Sequence, residues 1–144
     1  MSKSNAWETA YLKLLLNGTP IANIADNAAS SPLTSLYLSL HTADPGETGT
    51  QTTNEISYTG YARVAVARTT GGWTVDSSGI GTLVAAANFG ASTGGTGGTA
   101  SFACLGTAAT GAGMILYSGA ISPTISVTSG VTPQIAAGTT ITED

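Results

Sequence analysis

Hydrophobic and polar residues alternate most regularly between Leu33 and Asp76. Leu36, Leu38 and Leu40 interleave with Tyr37, Ser39 and His41, the period-2 pattern of a strand with one apolar face. His41 then falls at the strand end on the polar face. A turn is predicted next: Asp44-Pro45-Gly46-Glu47 places proline and glycine at the second and third positions, as a type II turn requires. Beyond a polar crossing from Thr48 to Glu55, the run Tyr61–Arg68 alternates again, with Val64 and Val66 on one face and Arg63 on the other. Gly71-Gly72 closes that strand and Trp73–Asp76 begins another. The series predicts a β-meander whose loop from Ala43 to Tyr58 is long enough to have a function of its own.

The N-terminus follows a different period. Asn5-Ala-Trp-Glu8 resembles a capping box, and Trp7, Tyr11, Leu14 and Leu15 recur as one apolar stripe of a helix over residues 5–17 that Asn17-Gly18 ends. The stripe is expected to pack over a sheet, with a neighbouring subunit as the alternative. Residues 20–32 read as a surface crossing between Pro20 and Pro32, with one helical turn near Ile21–Asn27. After Asp76 the pattern breaks into short β-prone pieces over Thr82–Ala87, Thr99–Leu105, Gly113–Ser118, Thr124–Thr128, Val131–Ile135 and Thr139–Thr142. Asn88–Gly98, with its glycine run, reads as a long flexible loop. The predicted fold is mainly β: a single jelly-roll-like or β-sandwich domain over residues 1–144 with one short N-terminal helix at 5–17 and strands within 33–142.

Composition sharpens this picture. A chain of 144 residues suits one domain. It has 19 glycines and 5 prolines, too few for low complexity, but large apolar residues are sparse. A core built largely of Ala, Val and Thr buries little area per residue, so further burial between subunits would help it. The net charge is −4, and residues 77–142 carry no charged side chain. So neutral a surface offers little opposition to association with other protein, including copies of itself. The four basic residues, Lys3, Lys13, Arg63 and Arg68, form no patch that would track phosphates, so nucleic-acid binding is not expected. No apolar run is long enough to span a membrane, and Glu8 and Lys13 interrupt any signal-peptide core. Synthesis in a host cytoplasm is expected, and the lone Cys104 reads as a small buried apolar residue.

Candidate chemistry is thin. Gly95-Thr-Gly97-Gly-Thr-Ala100 fits a relaxed dinucleotide-binding pattern, but a β-prone, uncharged segment follows where a helix and an acidic residue are needed. No lysine follows residue 13, which excludes a phosphate loop of the Walker type. His41 with Asp44 would have to serve any histidine-based site, and both are better explained by strand-end and turn roles. Asp44, Glu47 and Glu55 could offer oxygens to a hard cation, without the regular spacing of a calcium loop. A sugar cleft flanked by paired carboxylates would need more aromatic residues than the chain has. No cofactor and no catalytic set are expected.

At Trp7–Leu12, and above all at Ser35–Glu47 (SLYLSLHTADPGE) with Tyr58–Arg63 (YTGYAR), the sequence resembles small virion proteins of tailed bacteriophages. It is most similar to a capsid cement, or decoration, protein of a short-tailed phage. That resemblance implies a non-enzymatic jelly-roll-like protein that binds the outside of the capsid and stabilises contacts between major capsid protein subunits. The expected location is the exterior of the virion. The alternative is a tail or fibre component that binds a host-surface glycan. The residues expected at interfaces are Trp7, Tyr11 and Leu15 on the helix, and Asp44, Glu47, Glu55 and Tyr58 on the long loop.

Overall fold

The computed structural model describes residues 4–21 and 33–142. The chain is mainly β, made of antiparallel sheets with one short N-terminal helix. Two compact units are present. One lies within Met1–Ser35, Ala67–Ala86 and Ala136–Asp144, the other within Leu36–Val66 and Ala87–Ile135. The predicted helical turn near Ile21–Asn27 falls, beyond Ile21, outside the described residues.

The first unit is a helix on a small sheet. Helix α1 (Asn5–Asn17) is capped by Ser4, whose side chain accepts from the Trp7 amide. The cap is thus one residue earlier than the Asn5 expected; a serine hydroxyl bonds that amide as readily as an asparagine oxygen. At the other end Gly18 turns the chain in the left-handed region, at φ 64°. The helix packs on β4 (Trp73–Val75) and β5 (Ile80–Leu83), which form a three-stranded sheet with β10 (Thr140–Thr142).

The buried face of α1 is not the predicted stripe. Leu12 and Leu16 are 0% exposed, whereas Trp7 and Tyr11 are 38% and 37% exposed. Leucines at 12, 14, 15 and 16 give the helix two apolar faces, and periodicity cannot choose between them. The sheet chooses: Gly81 has no Cβ, and one built there would lie 2.5 Å from Leu16 Cδ1. Leu16 fills that hollow. The helix end is tied by Asn17 Nδ2 donating to Trp73 O at 2.9 Å. It has no basic residue in its last turn, but Arg68 supplies one from outside. Its Nε and one terminal nitrogen donate to Leu15 O and Leu14 O at 2.7 and 2.8 Å, and the other donates to Leu33 O at 2.7 Å. A guanidinium on free helix carbonyls both satisfies them and complements the negative end of the helix.

The second unit contains β1 (Ser35–His41) and β3 (Val64–Ala67), apart from their end residues Ser35 and Ala67, with β2 (Ser57–Thr59), β7 (Gly94–Gly106) and β8 (Ile115–Val127). A two-stranded pair of β6 (Ala87–Asn88) and β9 (Gln134–Ile135) completes it. The central strand is β7, which pairs with β1 along Phe102–Gly106, with β2 from Gly94 to Gly97 and with β8 from Gly98 to Gly106. The predicted meander holds in its first pair, β1 next to β3, and is corrected in its second, because β4 pairs with β5 in a different sheet. Nor is the glycine run a loop. Gly94–Gly98 is the first part of β7, crowded by its neighbours: a Cβ on Gly97 would meet Val127 O at 2.4 Å. Glycine serves close approach here, not flexibility. Likewise β8 continues through Pro123, where a break was expected.

Strand β1 is covered on both faces from Leu38 onward. Ser39 and His41 are fully buried, which corrects the placement of His41 on a polar face. Alternation reports side-chain chemistry, and here two polar side chains bury because each finds a partner inside.

The contrast between the two faces of α1 gives a measurable expectation. Leu16→Ala should lower the unfolding free energy by about 2–5 kcal/mol in urea titration, whereas Trp7→Ala should change it by no more than about 0.5 kcal/mol.

Candidate functional site

The loop from Ala43 to Tyr58 is pinned from within. At its start the Asp44 side chain accepts from the Gly46 amide at 2.9 Å, and Gly46 takes the positive φ, 69°, that the turn requires. Asn54 Nδ2 donates to Asp44 O at 3.0 Å, and Thr42 N donates to Asn54 O at 2.8 Å, closing the loop on its own stem. Gln51 is fully buried; its Oε1 accepts from Ala108 N at 2.9 Å and its main-chain N–H donates to Gly113 O at 2.9 Å. A Cβ on Gly106 or Gly113 would fall within 2.2 Å of the Gln51 side chain. Both positions must be glycine for Gln51 to sit there.

Glu55 is the second anchor. Arg63 grips it with two parallel bonds, Nε to Oε1 at 2.7 Å and a terminal nitrogen to Oε2 at 2.8 Å. The side chains are only 3% and 16% exposed for Arg63 and Glu55. Two further guanidinium hydrogens go to Ala108 O at 2.9 Å and Gly111 O at 2.8 Å. Tyr61 donates to Glu55 Oε1 at 2.9 Å and accepts from Leu40 N at 3.1 Å, while its ring stacks on Phe89 at 6.0 Å. The hydrogen bonds to Glu55 raise the pKa of Arg63, and burial pushes that of the Tyr61 phenol far up. Arg63 therefore stays charged and Tyr61 stays a donor.

His41 lies close to this network. Its Nδ1 faces Thr53 O at 2.8 Å and its Nε2 faces Ser39 Oγ at 2.9 Å. A carbonyl can only accept, so Nδ1 carries the proton and Nε2 accepts from the serine. The pair has the geometry of a nucleophile and its base, yet both residues are fully buried, so no acyl substrate reaches the hydroxyl. Burial lowers the pKa of His41 from 6.5, with Arg63 adding to the effect against opposing contributions from the Thr53 carbonyl and Glu55. Cys104 is also inert: burial pushes its thiol up to about 12.

Four of the seven residues expected at interfaces are exposed: Trp7, Tyr11, Asp44 and Glu47. Leu15 is half-buried. Glu55 and Tyr58 lie inside, Glu55 on Arg63 and Tyr58 with its hydroxyl donated to Gly90 O at 2.9 Å. They hold the loop and present no contact surface. Nor do Asp44, Glu47 and Glu55 converge as a cation site; among the described residues no three metal-ligating side chains group together. The organising residues that pattern reading passed over are Gln51 and Arg63. One signal existed, since Arg63 is one of only four basic residues.

The polar interior thus serves architecture, and what is offered to the outside is contact surface, as in a structural protein. A family model described as podophage GP4 fiber I protein gp80 matches residues 2–143, and the chain belongs to that family. It is a structural protein of the virion of a short-tailed phage. No curated protein matches the chain.

Two expectations follow from the buried polar groups. His41 is held neutral in the fold but titrates near 6.5 when unfolded, so the unfolded chain binds the extra proton first. Stability should be full above that pH and fall on acidification below it, and His41→Gln should flatten this dependence in melting curves. Glu55→Gln, which strands the buried Arg63 charge, should cost about 3–5 kcal/mol in urea titration, and adding Arg63→Met should recover part of the loss.

Proposed function

We propose that the protein is a non-enzymatic subunit of the fibre of a short-tailed phage, acting by contact with neighbouring virion proteins. The observation that carries this reading is the fibre-family match, which runs from residue 2 to residue 143. The likeness to capsid cement proteins rests on three short segments. A fibre position is therefore favoured over the capsid exterior, and the major capsid protein becomes a partner only under the cement reading. The contact faces are the Trp7–Tyr11 side of α1 and the acidic tip of the pinned loop at Asp44 and Glu47. Aromatic side chains standing out of a helix bury much area at little entropic cost. An acidic tip suits a basic partner surface and, with a net charge of −4, disfavours packaged DNA as a neighbour.

Phage particles lacking this protein distinguish the two positions. Loss of adsorption to host cells, with unchanged survival of heating, is the expected result. Particles that adsorb normally but burst at lower temperature would place the protein on the capsid and overturn the fibre reading.

A further inference from the structure

Of the six asparagines in the chain, Asn17 alone is followed by glycine. That pairing is the one most open to deamidation, because glycine has no side chain to shield its main-chain nitrogen from the neighbouring carboxamide. The reaction needs two groups free at once: the Gly18 nitrogen as nucleophile and the Asn17 side-chain carbon as its target.

In the fold both are engaged. The Gly18 N–H donates to Lys13 O as the cap of α1. Asn17 is half-buried at the end of the helix, and its Nδ2 donates to Trp73 O at 2.9 Å. Further contacts keep this end closed. Arg68 donates to Leu14 O and Leu15 O at 2.8 and 2.7 Å, and the fully buried Leu16 lies in the hollow over Gly81. Freeing the two reacting groups therefore means undocking the end of α1, not rotating one side chain.

We infer that Asn17 is a latent deamidation site, shielded by the docked end of α1 and converted when that end comes loose. The Gly18 nitrogen loses its proton and bonds to Asn17 Cγ, the bond from Cγ to Nδ2 breaks, and ammonia leaves behind a succinimide ring. Water then opens the ring at either carbonyl, giving aspartate or isoaspartate at position 17; nothing is oxidised or reduced. Neither product restores the original contacts. A carboxylate has no hydrogen to donate to Trp73 O, and it puts negative charge at the negative end of the helix. Isoaspartate also lengthens the main chain by one carbon just before the left-handed Gly18 cap. Each opening thus leaves a product that favours the next. The inference rests on the end of α1 and not on the fibre reading, so purified protein tests it while phage particles test the other.

The test is incubation of the full chain at mildly alkaline pH, with the peptide that holds Asn17 followed by mass spectrometry and by isoaspartate assay. Wild type is compared folded in buffer and unfolded in urea, alongside Leu16→Ala and Arg68→Met, each checked for folding by circular dichroism. Conversion is expected to be at least about tenfold slower in the folded wild type than in urea. Each folded variant should speed it by about fivefold or more. Asn17→Asp, made directly, should melt about 2–4 °C below the wild type. If neither loosened variant folds, the folded and unfolded wild type decide between them. Equal rates with and without urea, folded variants that convert no faster than the wild type, or an Asn17→Asp chain as stable as the wild type each overturn the inference.

Discussion

The guanidinium of Arg63 lies almost wholly out of water against Glu55, and much of the second unit depends on that pair. Removing two charges from solvent costs several kcal/mol for each ion, a cost that further hydrogen bonds to both groups offset. Glu55 accepts from Arg63 and Tyr61, and Arg63 also donates to the carbonyls of Ala108 and Gly111. One ion pair thereby joins the end of the long loop, the approach to β3 and the turn before β8. Gln51 repeats the device nearby, tying the same loop to Ala108 and Gly113. Networks of this sort fix geometry more than they add stability, because a half-satisfied alternative is so unfavourable.

Such a design suits a chain with few large apolar residues. Apolar burial is non-directional, whereas buried hydrogen bonds specify which segment lies against which. The first unit uses the same economy: Arg68 reaches the carbonyls of Leu14, Leu15 and Leu33 and so fixes the end of α1. With both arginines committed inside, the surface keeps a mild acidic excess, and the strands after Asp76 are left neutral. In a virion protein, whose work is contact, a neutral β surface lowers the electrostatic barrier to subunit packing and keeps the contacts insensitive to salt.

The two candidate contact faces differ in kind. The Trp7–Tyr11 side of α1 offers aromatic area, so its fit depends on the shape of the partner. The acidic tip of the pinned loop at Asp44 and Glu47 offers charge instead, so its fit depends on basic groups in the partner and weakens with salt.

Local chemistry was readable without the fold. Alternation at Leu36, Leu38 and Leu40 determined a strand, Asp44-Pro45-Gly46 determined a turn with positive φ at Gly46, and Asn17-Gly18 determined where α1 stops, because each depends on backbone sterics within a few residues. The absence of charge from 77 to 142 is likewise a property of the sequence alone. What only the tertiary structure decided is which surfaces are left over. Helical periodicity favoured Trp7 and Tyr11 for the core, and the hollow at Gly81 took Leu16 instead. Alternation put His41 outside, and Thr53 and Ser39 gave it partners inside. Acidic residues on one loop looked equivalent, yet Arg63, eight positions away in the chain, withdrew Glu55 and left Asp44 and Glu47 exposed. In each case the outcome turned on a contact that periodicity along the chain does not place, and the free energy of satisfying or burying a group is set by that contact.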